Sequence, residues 1–585
     1  MDIYSILSLI GGLVLFLYGM ELMGDSLKKL AGGKLESILG KLTSNRFKGF
    51  FLGFIVTAII QSSSATTVML VGFVNSGIMT LRQTISIIMG ANIGTTVTAW
   101  LLSTAEISGT AMLFKLLKPE SFTPVLAAVG LLMSMTAKTD SKKNTGNILI
   151  GFAILMFGMN AMSGAVSGLK ENESFTNILT MFSNPVMGIL VGTVFTAIIQ
   201  SSSASVGVLQ ALAISCNIPF AIAIPVVLGQ NIGTTITPII SSISGNTESK
   251  RVAMSCLYIK MLGVVIVMGI FYILHIFFPF EFMNLNASAT DIAIVHTLFN
   301  IFSTIVLIPF CGFIEKLALK TVTSKKEEKE KDIFDTLDER FLSVPAFAVE
   351  KSKDLVCDML KITFDTYKMA TELLDKYDAK KYDKIKELET LVDKYEDKVG
   401  TYLVKISAKQ MSVKESQSVT QLLHSIGDVE RISDHSFNIA KTLKEIDDKK
   451  ISFSDRAIKD LKIIIGAVSE IIELTFKVLT EEDTELAKHV EPLEQVIDRI
   501  NRKIKAGHIS RLTHGDCTME LGFILSDLLN SFERISDHCS NIGVCVIEVS
   551  NDSFEVHEYL NHIKNDGGKE FADLYQIYKT KHYIE

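Results

Sequence analysis

A polar block that occurs twice within apolar sequence restricts the fold of this chain more than any other feature. Thr57–Ala65 and Thr196–Ala204 both read TAIIQSSSA, 139 residues apart. At the same offset, NIGTTVT from Asn92 matches NIGTTIT from Asn231, and an earlier Gly-Met pair is also repeated. Matched blocks at one offset indicate a duplicated unit, although a duplicated pair of structural helices without a binding site would leave the same pattern.

Long apolar runs predict a polytopic membrane domain, because a helix needs roughly 20 apolar residues to cross a bilayer. Such runs fall at about 3–24, 80–103, 121–137, 147–165, 219–243, 253–277 and 288–312. Two further apolar regions, 48–77 and 186–215, are interrupted in the middle by the polar blocks. Each half is too short to cross alone, so we predict two re-entrant hairpins.

Basic residues predict the orientation, because Lys and Arg collect on the cytoplasmic side of a membrane. Four groups define one consistent path when all are placed inside. They are Lys28, Lys29, Lys34, Lys41, Arg46 and Lys48; Lys138, Lys142 and Lys143; Lys250 and Arg251; and Lys316, Lys320, Lys325 and Lys326. The first hairpin then enters from the cytoplasm and the second from outside, which is an inverted repeat. Lys115, Lys118 and Lys170 remain outside, against the rule.

The repeated polar blocks have the chemistry of an anion site. In hydrocarbon every polar group needs a partner, and a hairpin tip ends one helix and begins another. The new helix offers free N–H groups and the positive end of its dipole, and hydroxyls add further donors. The predicted substrate-binding residues are Gln61, Ser62, Ser63 and Ser64, and Gln200, Ser201, Ser202 and Ser203. Two tips that face each other could enclose a tetrahedral oxyanion.

The NIGTT blocks, and the residues that follow the QSSS blocks, contain oxygen atoms that a hard cation such as sodium requires. The candidates for sodium binding or the translocation path are Thr66, Asn92, Thr95, Thr96, Ser205, Asn231, Thr234 and Thr235. Hydroxyls that only hold helices together would explain any single one of them equally well. That alternative explains four clusters in matched pairs poorly.

Few ionisable residues lie within the predicted spans. They are Glu21, Lys260, His275 and His296. Charged residues inside a membrane are functional candidates. Glu21 and Lys260, however, are within a turn or two of a predicted span end, where a long side chain can also reach the interface. A histidine in an apolar run is more often a packing residue than a functional one.

The paired QSSS blocks, each followed by NIGTT, resemble the sodium-dependent phosphate cotransporter family over about residues 1–320. His296–Asn300 also resembles a family block, HxxFN, without a counterpart near Phe114. The resemblance implies symport of inorganic phosphate with sodium across the cell membrane, with the two QSSS tips lining both sites. The residues alone do not separate phosphate from sulfate or sodium from protons, although the scarcity of carboxylates in the spans disfavours a proton relay.

The second part of the chain is chemically different. Only 31 of the 121 Asp, Glu, Lys and Arg residues occur up to Lys320, where the net charge is +5; beyond it the net charge is −12. Apolar residues at helical spacing predict a helical bundle there. ERISDH occurs twice, 103 residues apart, at Glu430–His435 and Glu533–His538.

Each ERISDH copy places two carboxylates on one helix face, where like charges repel. The four are Glu430, Asp434, Glu533 and Asp537. A pseudo-twofold arrangement that brings them together would suit a metal cluster. Two solvated helix faces, with Arg431 and Arg534 as partners, would explain the same pattern.

The tail resembles the PhoU family over roughly residues 340–560, and PhoU repeats carry an E/D-x-x-x-D metal motif. The resemblance implies a cytoplasmic domain that senses or regulates phosphate uptake and binds metal ions of unspecified identity. A second copy of the chain or a regulatory protein could bind through this tail.

We therefore predict an all-α protein with a transmembrane domain at 1–320 (repeats at about 1–138 and 139–320), a linker at 321–340 and a PhoU-like helical domain at 341–585. The predicted function is secondary active transport, without enzymatic activity, since no P-loop, Gly-rich nucleotide motif or nucleophile elbow is present. No basic stripe predicts nucleic-acid binding. A phosphate-sensing receptor without transport and a small-anion channel are the alternatives. Two intact tips disfavour the first, and the lack of a continuous polar stripe along any span disfavours the second.

Overall fold

The computed structural model describes residues 3–31, 46–106, 119–167, 184–323, 332–514, 517–550 and 569–584. These residues are helical throughout, with a single isolated bridge, Pro219–Asn286, and no strand among them. The all-α prediction is therefore confirmed. Several residues that entered the predictions lie outside the described ranges: Lys34, Lys41, Phe114, Lys115, Lys118, Lys170, Lys325 and Lys326.

The chain divides into two compact units, Met1–Phe347 and Ala348–Glu585. The first contains fourteen α-helices within the described ranges. They are α1 (Ile3–Ala31), α2 (Arg46–Ile60), α3 (Ser63–Asn75), α4 (Leu81–Gly94), α5 (Thr96–Ser103), α6 (Pro119–Thr136), α7 (Asp140–Val166), α8 (Pro185–Ile199), α9 (Ser202–Ser215), α10 (Phe220–Gly233), α11 (Ile236–Ser242), α12 (Thr247–Phe277), α13 (Ala289–Leu307) and α14 (Cys311–Thr321).

Six stretches of the described chain are long and apolar enough to cross a bilayer. They are Ile3–Leu30, Leu81–Glu106, Asp140–Val166, Phe220–Ser242, Thr247–Phe277 and Ala289–Thr321. They coincide with six of the seven predicted runs. The seventh, at 121–137, is the apolar helix Ser121–Thr136, which is shorter than the other six. The protein is thus a polytopic membrane protein.

Local capping explains where several of these helices begin. Asn184 accepts a hydrogen bond from the N–H of Val186 at the start of α8, and Asn246 accepts one from Ser249 at the start of α12. Ser288 and Asp291 form a reciprocal capping box at α13. Each cap satisfies an N–H group that has no acceptor within its own helix.

The first helices of the two repeats, α1 and α7, contact each other through glycines that are themselves repeated at the offset of 139. A Cβ on Gly19 would lie 2.6 Å from the carbonyl oxygen of Gly151, and one on Gly158 would lie 2.6 Å from that of Gly12. Gly12 corresponds to Gly151 and Gly19 to Gly158. The contact between Gly19 and Gly151 therefore has an equivalent in the contact between Gly158 and Gly12. Two equivalent contacts of this kind relate the two helices by a pseudo-twofold axis, as an inverted repeat requires.

The segment 332–347, which precedes the second unit, packs within the first. The Asn75 amide at the end of α3 donates to Asp338 (2.8 Å), and the Phe341 ring is fully buried against Phe73 and Phe347. The second unit begins with Ala348, whereas the sequence places the start of the tail domain at 341 after a linker at 321–340. Residues 332–347 are therefore a docked part of the membrane unit.

The second unit is a helical bundle whose first helix, α15, starts within the membrane unit. Its helices in the described ranges are α15 (Pro345–Glu372), α16 (Ala379–Ser407), α17 (Val413–Lys449), α18 (Asp455–Glu481), α19 (Thr484–Ala487), α20 (Val490–Thr513), α21 (Met519–Ser550) and α22 (Lys569–Lys581). The two ERISDH copies lie on α17 and α21, which pack together. His435 and His538 from the two copies stack with ring centroids 6.0 Å apart.

Candidate anion, cation and metal sites

Both polar blocks break their helices in the same way. Gln61 and Gln200 follow α2 and α8 with φ values of 58° and 60°, in the left-handed region. The next residue, Ser62 or Ser201, is extended and caps the following helix by accepting from the N–H of a residue three positions later, at 3.2 Å. The arms of the two hairpins are 15 and 13 residues, and 15 and 14 residues. The predicted interruption is present at both positions.

The two tips lie next to each other. The Ser64 hydroxyl donates to the carbonyl oxygen of Gln200 at 3.4 Å. Behind each tip, a hydroxyl on the first arm donates to one on the second: Thr57 to Thr66 at 3.1 Å, and Thr196 to Ser205 at 2.7 Å. The structure therefore brings the two QSSS blocks together from separate repeats, with the first N–H groups of α3 and α9 at the point where they meet.

The two tips differ in what their glutamine amides contact, although their sequences are identical. Gln61 is buried, and its Oε1 accepts from the Thr98 hydroxyl at 2.7 Å. Gln200 is exposed, and no hydrogen bond of its side chain is found in the described structure. The counterpart of Thr98 is Thr237, whose buried hydroxyl has no hydrogen-bond partner among the described residues. The Gln61 side chain is thus hydrogen-bonded to the NIGTT span of its own repeat, whereas the Gln200 side chain has no such bond in the described structure. We call the first tip engaged and the second released.

The NIGTT blocks interrupt their spans and lie against the hairpins. α4 ends at Gly94 and α5 begins at Thr96, while α10 ends at Gly233 and α11 begins at Ile236. A Cβ on Gly94 would lie 2.8 Å from the Cβ of Thr57, and one on Gly233 would lie 2.7 Å from that of Thr196. Only glycine permits this approach, which places each block beside the paired hydroxyls of its own hairpin.

The threonines of these blocks present oxygen lone pairs. Thr95 and Thr96 donate their hydroxyl protons to the carbonyl oxygens of Ala91 and Ile93. In the second block, the hydroxyls of Thr234 and Thr235 donate to the carbonyl oxygens of Asn231 and Ile232. A hydroxyl that has given its proton to a carbonyl offers its remaining lone pairs to another partner. Asn231 also bonds locally, to Val227. These residues thus have the chemistry of cation ligands.

The acidic residues of the tail form two groups of three. Each group has carboxylate oxygens within 4.8 Å of one another: Asp393, Glu430 and Asp434, and Glu494, Asp498 and Asp537. Among the described residues the ERISDH carboxylates are divided between these groups: Glu430 and Asp434 belong to the first and Asp537 to the second. Asp393 on the preceding helix α16 completes the first group, and Glu494 and Asp498 on the preceding helix α20 complete the second. Glu533 accepts from the Asn501 amide at 2.8 Å and lies 3.6 Å from the Lys505 ammonium.

Burial, together with neighbouring carboxylates, raises the pKa values of four of these acidic residues. Burial, and then the neighbouring Asp434, raise the pKa of Glu430 to about 7. The same two causes raise the pKa of Asp393. In the second group, burial raises the pKa of Asp498 with a contribution from Glu533, and that of Asp537 with one from Asp498. Each group therefore carries negative charge that a bound cation would stabilise.

Comparison with known protein families agrees with a duplicated first unit. The profile of the Na+/Pi-cotransporter family matches residues 15–164 and 154–289, once for each repeat. A Bacillus subtilis (strain 168) protein, "Uncharacterized protein YqeW", is 31% identical over 257 residues, which are 44% of this chain and 79% of that protein. This chain belongs to the Na+/Pi-cotransporter family. The PhoU domain profile matches residues 356–443 and 461–546, so this cotransporter-family member carries a PhoU domain as its tail.

Two other relatives of this Na+/Pi-cotransporter family member have descriptive names. A Salmonella typhimurium protein, "Putative inorganic phosphate export protein YjbB", is 21% identical over 568 residues, 95% of this chain and 100% of that protein. The Rattus norvegicus "Sodium-dependent phosphate transport protein 2A" is 39% identical over 93 residues, 15% of this chain and 14% of that protein. The first name describes export, and the second describes dependence on sodium.

Several residues of the cotransporter unit escaped the sequence analysis although the signal was present. Thr98 and Thr237 end the repeated NIGTTVT and NIGTTIT blocks, and Thr57 and Thr196 begin the repeated TAIIQSSSA blocks. In the PhoU domain, the spacing of four that marks Glu430 and Asp434 also occurs in two acidic pairs that contain the remaining group members, Asp393, Glu494 and Asp498. Those pairs are Glu389 with Asp393 and Glu494 with Asp498.

The expectation for Lys260 was wrong. α12 begins at Thr247, before the predicted span start at 253, so Lys260 lies in the middle of the helix rather than near its end. Its side chain is only 6% exposed and does not reach the interface. His275, by contrast, has a local role, because its Nδ1 accepts from the N–H of Phe280 at 2.9 Å beyond the end of α12.

Proposed function

We propose that this protein carries inorganic phosphate together with sodium across the cell membrane by alternating access, and that its PhoU domain lies in the cytoplasm and regulates transport. The observation that carries the proposal is the meeting of two capped helix starts, marked by the Ser64 hydroxyl at the carbonyl of Gln200. Two symmetry-related breaks in apolar hairpins that touch at their tips form the arrangement expected of a substrate site between inverted repeats.

Phosphate fits this point because of the donors it presents. The first N–H groups of α3 and α9 have no acceptor within their helices, and each cap serine satisfies only one of them. Ser63 and Ser64 on one tip, and Ser202 and Ser203 on the other, add hydroxyl donors next to these amides. An anion bound here replaces its hydration shell with fixed dipoles of two helix starts.

Sodium fits the oxygens that surround the same point. The candidate ligands are the threonine hydroxyls of the NIGTT blocks, together with Thr66 and Ser205 behind the tips. A cation beside the anion lowers the cost of holding negative charge inside the membrane. The name of the rat relative supports sodium as the coupling ion.

Alternating access needs two states of similar energy, and the tips suggest what they are. In the described state Gln61 bonds to Thr98, while Gln200 is released and the Thr237 hydroxyl lacks a described partner. Exchange of these roles between the repeats, with Gln200 bound to Thr237 and Gln61 released, gives a second state of equivalent chemistry. Export, which the name of the Salmonella relative suggests, is the same cycle run under an opposite net gradient.

Flux measurements on the purified full-length protein in liposomes test the proposal. Radiolabelled phosphate should accumulate against its gradient when sodium is higher on one side, and should leave preloaded liposomes when the sodium gradient is reversed. Ser63→Ala and Ser202→Ala should reduce both fluxes far more than Ser86→Ala, a buried serine of α4 outside the blocks. Flux that ignores sodium would indicate a channel, and binding without flux would indicate a receptor.

The carboxylate groups of the PhoU domain fit divalent cations that prefer oxygen ligands. Asp393, Glu430 and Asp434 would hold one ion, and the group at Asp537 another, each relieving repulsion between its carboxylates. Elemental analysis of the full-length protein tests this: Glu430→Gln should lower the metal content, and Glu473→Gln, on the exposed face of α18, should not. Wild-type protein free of metal after exposure to divalent cations would refute it.

A further inference from the structure

The side chain of Lys260 is buried beside one of the candidate sodium ligands. Its ammonium donates to the Thr234 hydroxyl, the first threonine of the second NIGTT block. α12 also packs against α3, α4 and α10, so Lys260 is enclosed by helices of both repeats. Ionisable side chains at such positions face the interior of the helix bundle and mark the paths of ions.

No carboxylate of the described chain forms an ion pair with Lys260. Its titratable neighbours include Cys256 on its own helix and His296 on α13. Both ring nitrogens of His296 are buried and have no hydrogen-bond partner among the described residues. No described side chain forms an ion pair with an ammonium at this position, so a charged Lys260 favours an anion nearby and disfavours a second cation.

The first repeat lacks this charge. At the offset of 139, Thr234 corresponds to Thr95 and Lys260 corresponds to Ser121, an exposed residue of α6. The hydroxyl of Thr95 donates to Ala91, as Thr234 donates to Asn231, but no basic side chain is hydrogen-bonded to Thr95 in the described structure. Two blocks with the same NIGTT sequence thus differ in whether an ammonium is already bound.

We propose that the Lys260 ammonium is a built-in cation that takes the place of a co-transported sodium ion at Thr234. The inference rests on the proposed function. A sodium ion on the same hydroxyl would be about 4 Å from the ammonium, where repulsion between unit charges lowers its occupancy by roughly three orders of magnitude. Sodium binding is then excluded at Thr234, whereas the other candidate ligands stay available.

The consequence is a lower coupling ratio. A charge fixed to α12 stabilises bound phosphate in every cycle but does not cross the membrane with it. The protein therefore transports one sodium ion fewer per phosphate than the same chain would without the lysine, and it reaches a shallower phosphate gradient. Lys260 thus determines how many sodium ions accompany each phosphate and does not itself bind sodium.

Simultaneous measurement of labelled sodium and labelled phosphate uptake into proteoliposomes tests this. The flux ratio of Lys260→Gln should exceed that of the wild type by one sodium ion per phosphate. Lys260→Arg keeps the charge and should keep the wild-type ratio. Lys250→Gln, at the exposed N-terminal end of the same helix, is the matched control and should also keep it.

A neutral variant that transports at the wild-type ratio overturns the proposal, as does an arginine variant that behaves like the glutamine one. Lys260→Met, of similar length and without a polar head, serves as the second neutral variant. If either folds but is inactive, sodium binding to the purified protein should show one additional ion. Failure of both to fold also contradicts the proposal, because a buried charge without an acidic partner should be replaceable. Wild-type flux without sodium would instead refute the proposed function, whatever the variants do.

Discussion

Replacement of Thr98 and of Thr237 by valine should shift the conformational equilibrium in opposite directions. The two substitutions are chemically identical and occupy equivalent positions of the repeats. In the described state, Thr98 donates to the buried Gln61 carbonyl at 2.7 Å, whereas the buried Thr237 hydroxyl has no described partner. Thr98→Val therefore removes an existing hydrogen bond, and Thr237→Val removes a buried hydroxyl that bonds to nothing in the described structure.

The magnitudes follow from the cost of an unsatisfied buried group. Thr98→Val leaves the Gln61 carbonyl without its donor and disfavours the described state by about 1–3 kcal/mol. Thr237→Val costs nothing in the described state but removes the partner of Gln200 in the exchanged state, at about the same 1–3 kcal/mol. Each change shifts the ratio of the two states about 5- to 150-fold, in opposite directions.

Hydrogen exchange of the protein in nanodiscs reports on both tips at once. Thr98→Val should speed exchange of the amides around Gln61 and slow it around Gln200, and Thr237→Val should do the reverse. The double variant should return towards the wild-type pattern, because both states lose one bond. Thr84→Val, at a buried threonine of α4 that bonds only to its own helix, is the control. Shifts of the same sign in both single variants would refute the exchange of roles between the tips.

Three other outcomes are expected. Because the pKa of Glu430 is raised to about 7, its proton must leave before a metal ion binds, so metal affinity measured by titration calorimetry should fall about tenfold per pH unit below 7 and level off above it. Phe341→Ala removes a fully buried ring from the docked segment at a cost of about 3–5 kcal/mol, so limited proteolysis should cleave 332–347 much faster than in the wild type. Gly94→Val places a side chain where Thr57 lies, and phosphate uptake should fall well below that of Gly164→Val, whose added Cβ meets no atom within 4 Å.

The helix breaks at the tips were predictable because their cause is local. A run of Gln and Ser inside apolar sequence cannot remain against lipid, and Ser is a preferred cap that starts a new helix wherever the chain can turn. The left-handed Gln61 and Gln200 follow from the same requirement. The meeting of the two tips was also within reach, because a duplicated unit with opposite orientation brings equivalent positions to a shared axis.

What the sequence could not provide is the environment of each residue. The misplacement of Lys260 arose because hydropathy does not detect the polar first turns of α12, from Thr247, so the predicted span began too late. The sequence predicted only the ERISDH members of the acidic groups in the tail. ERISDH is an identical hexapeptide in both copies, whereas the acidic pairs on α16 and α20 share only the spacing of their acidic residues. Which carboxylates meet depends on the packing of helices that are far apart in the chain.

Identical sequences in different surroundings are what a transporter built from a duplicated unit requires. If Gln61 and Gln200 were both bound to their threonines, the two tips would be equally closed and no difference between the repeats would distinguish one side of the membrane from the other. In the described structure the hydrogen bond between Gln61 and Thr98 distinguishes the two repeats. The equivalent groups, Gln200 and Thr237, are present in the other repeat and are not bonded to each other. Exchange between two such arrangements needs no new chemistry, because every bond broken in one repeat has an equivalent to form in the other.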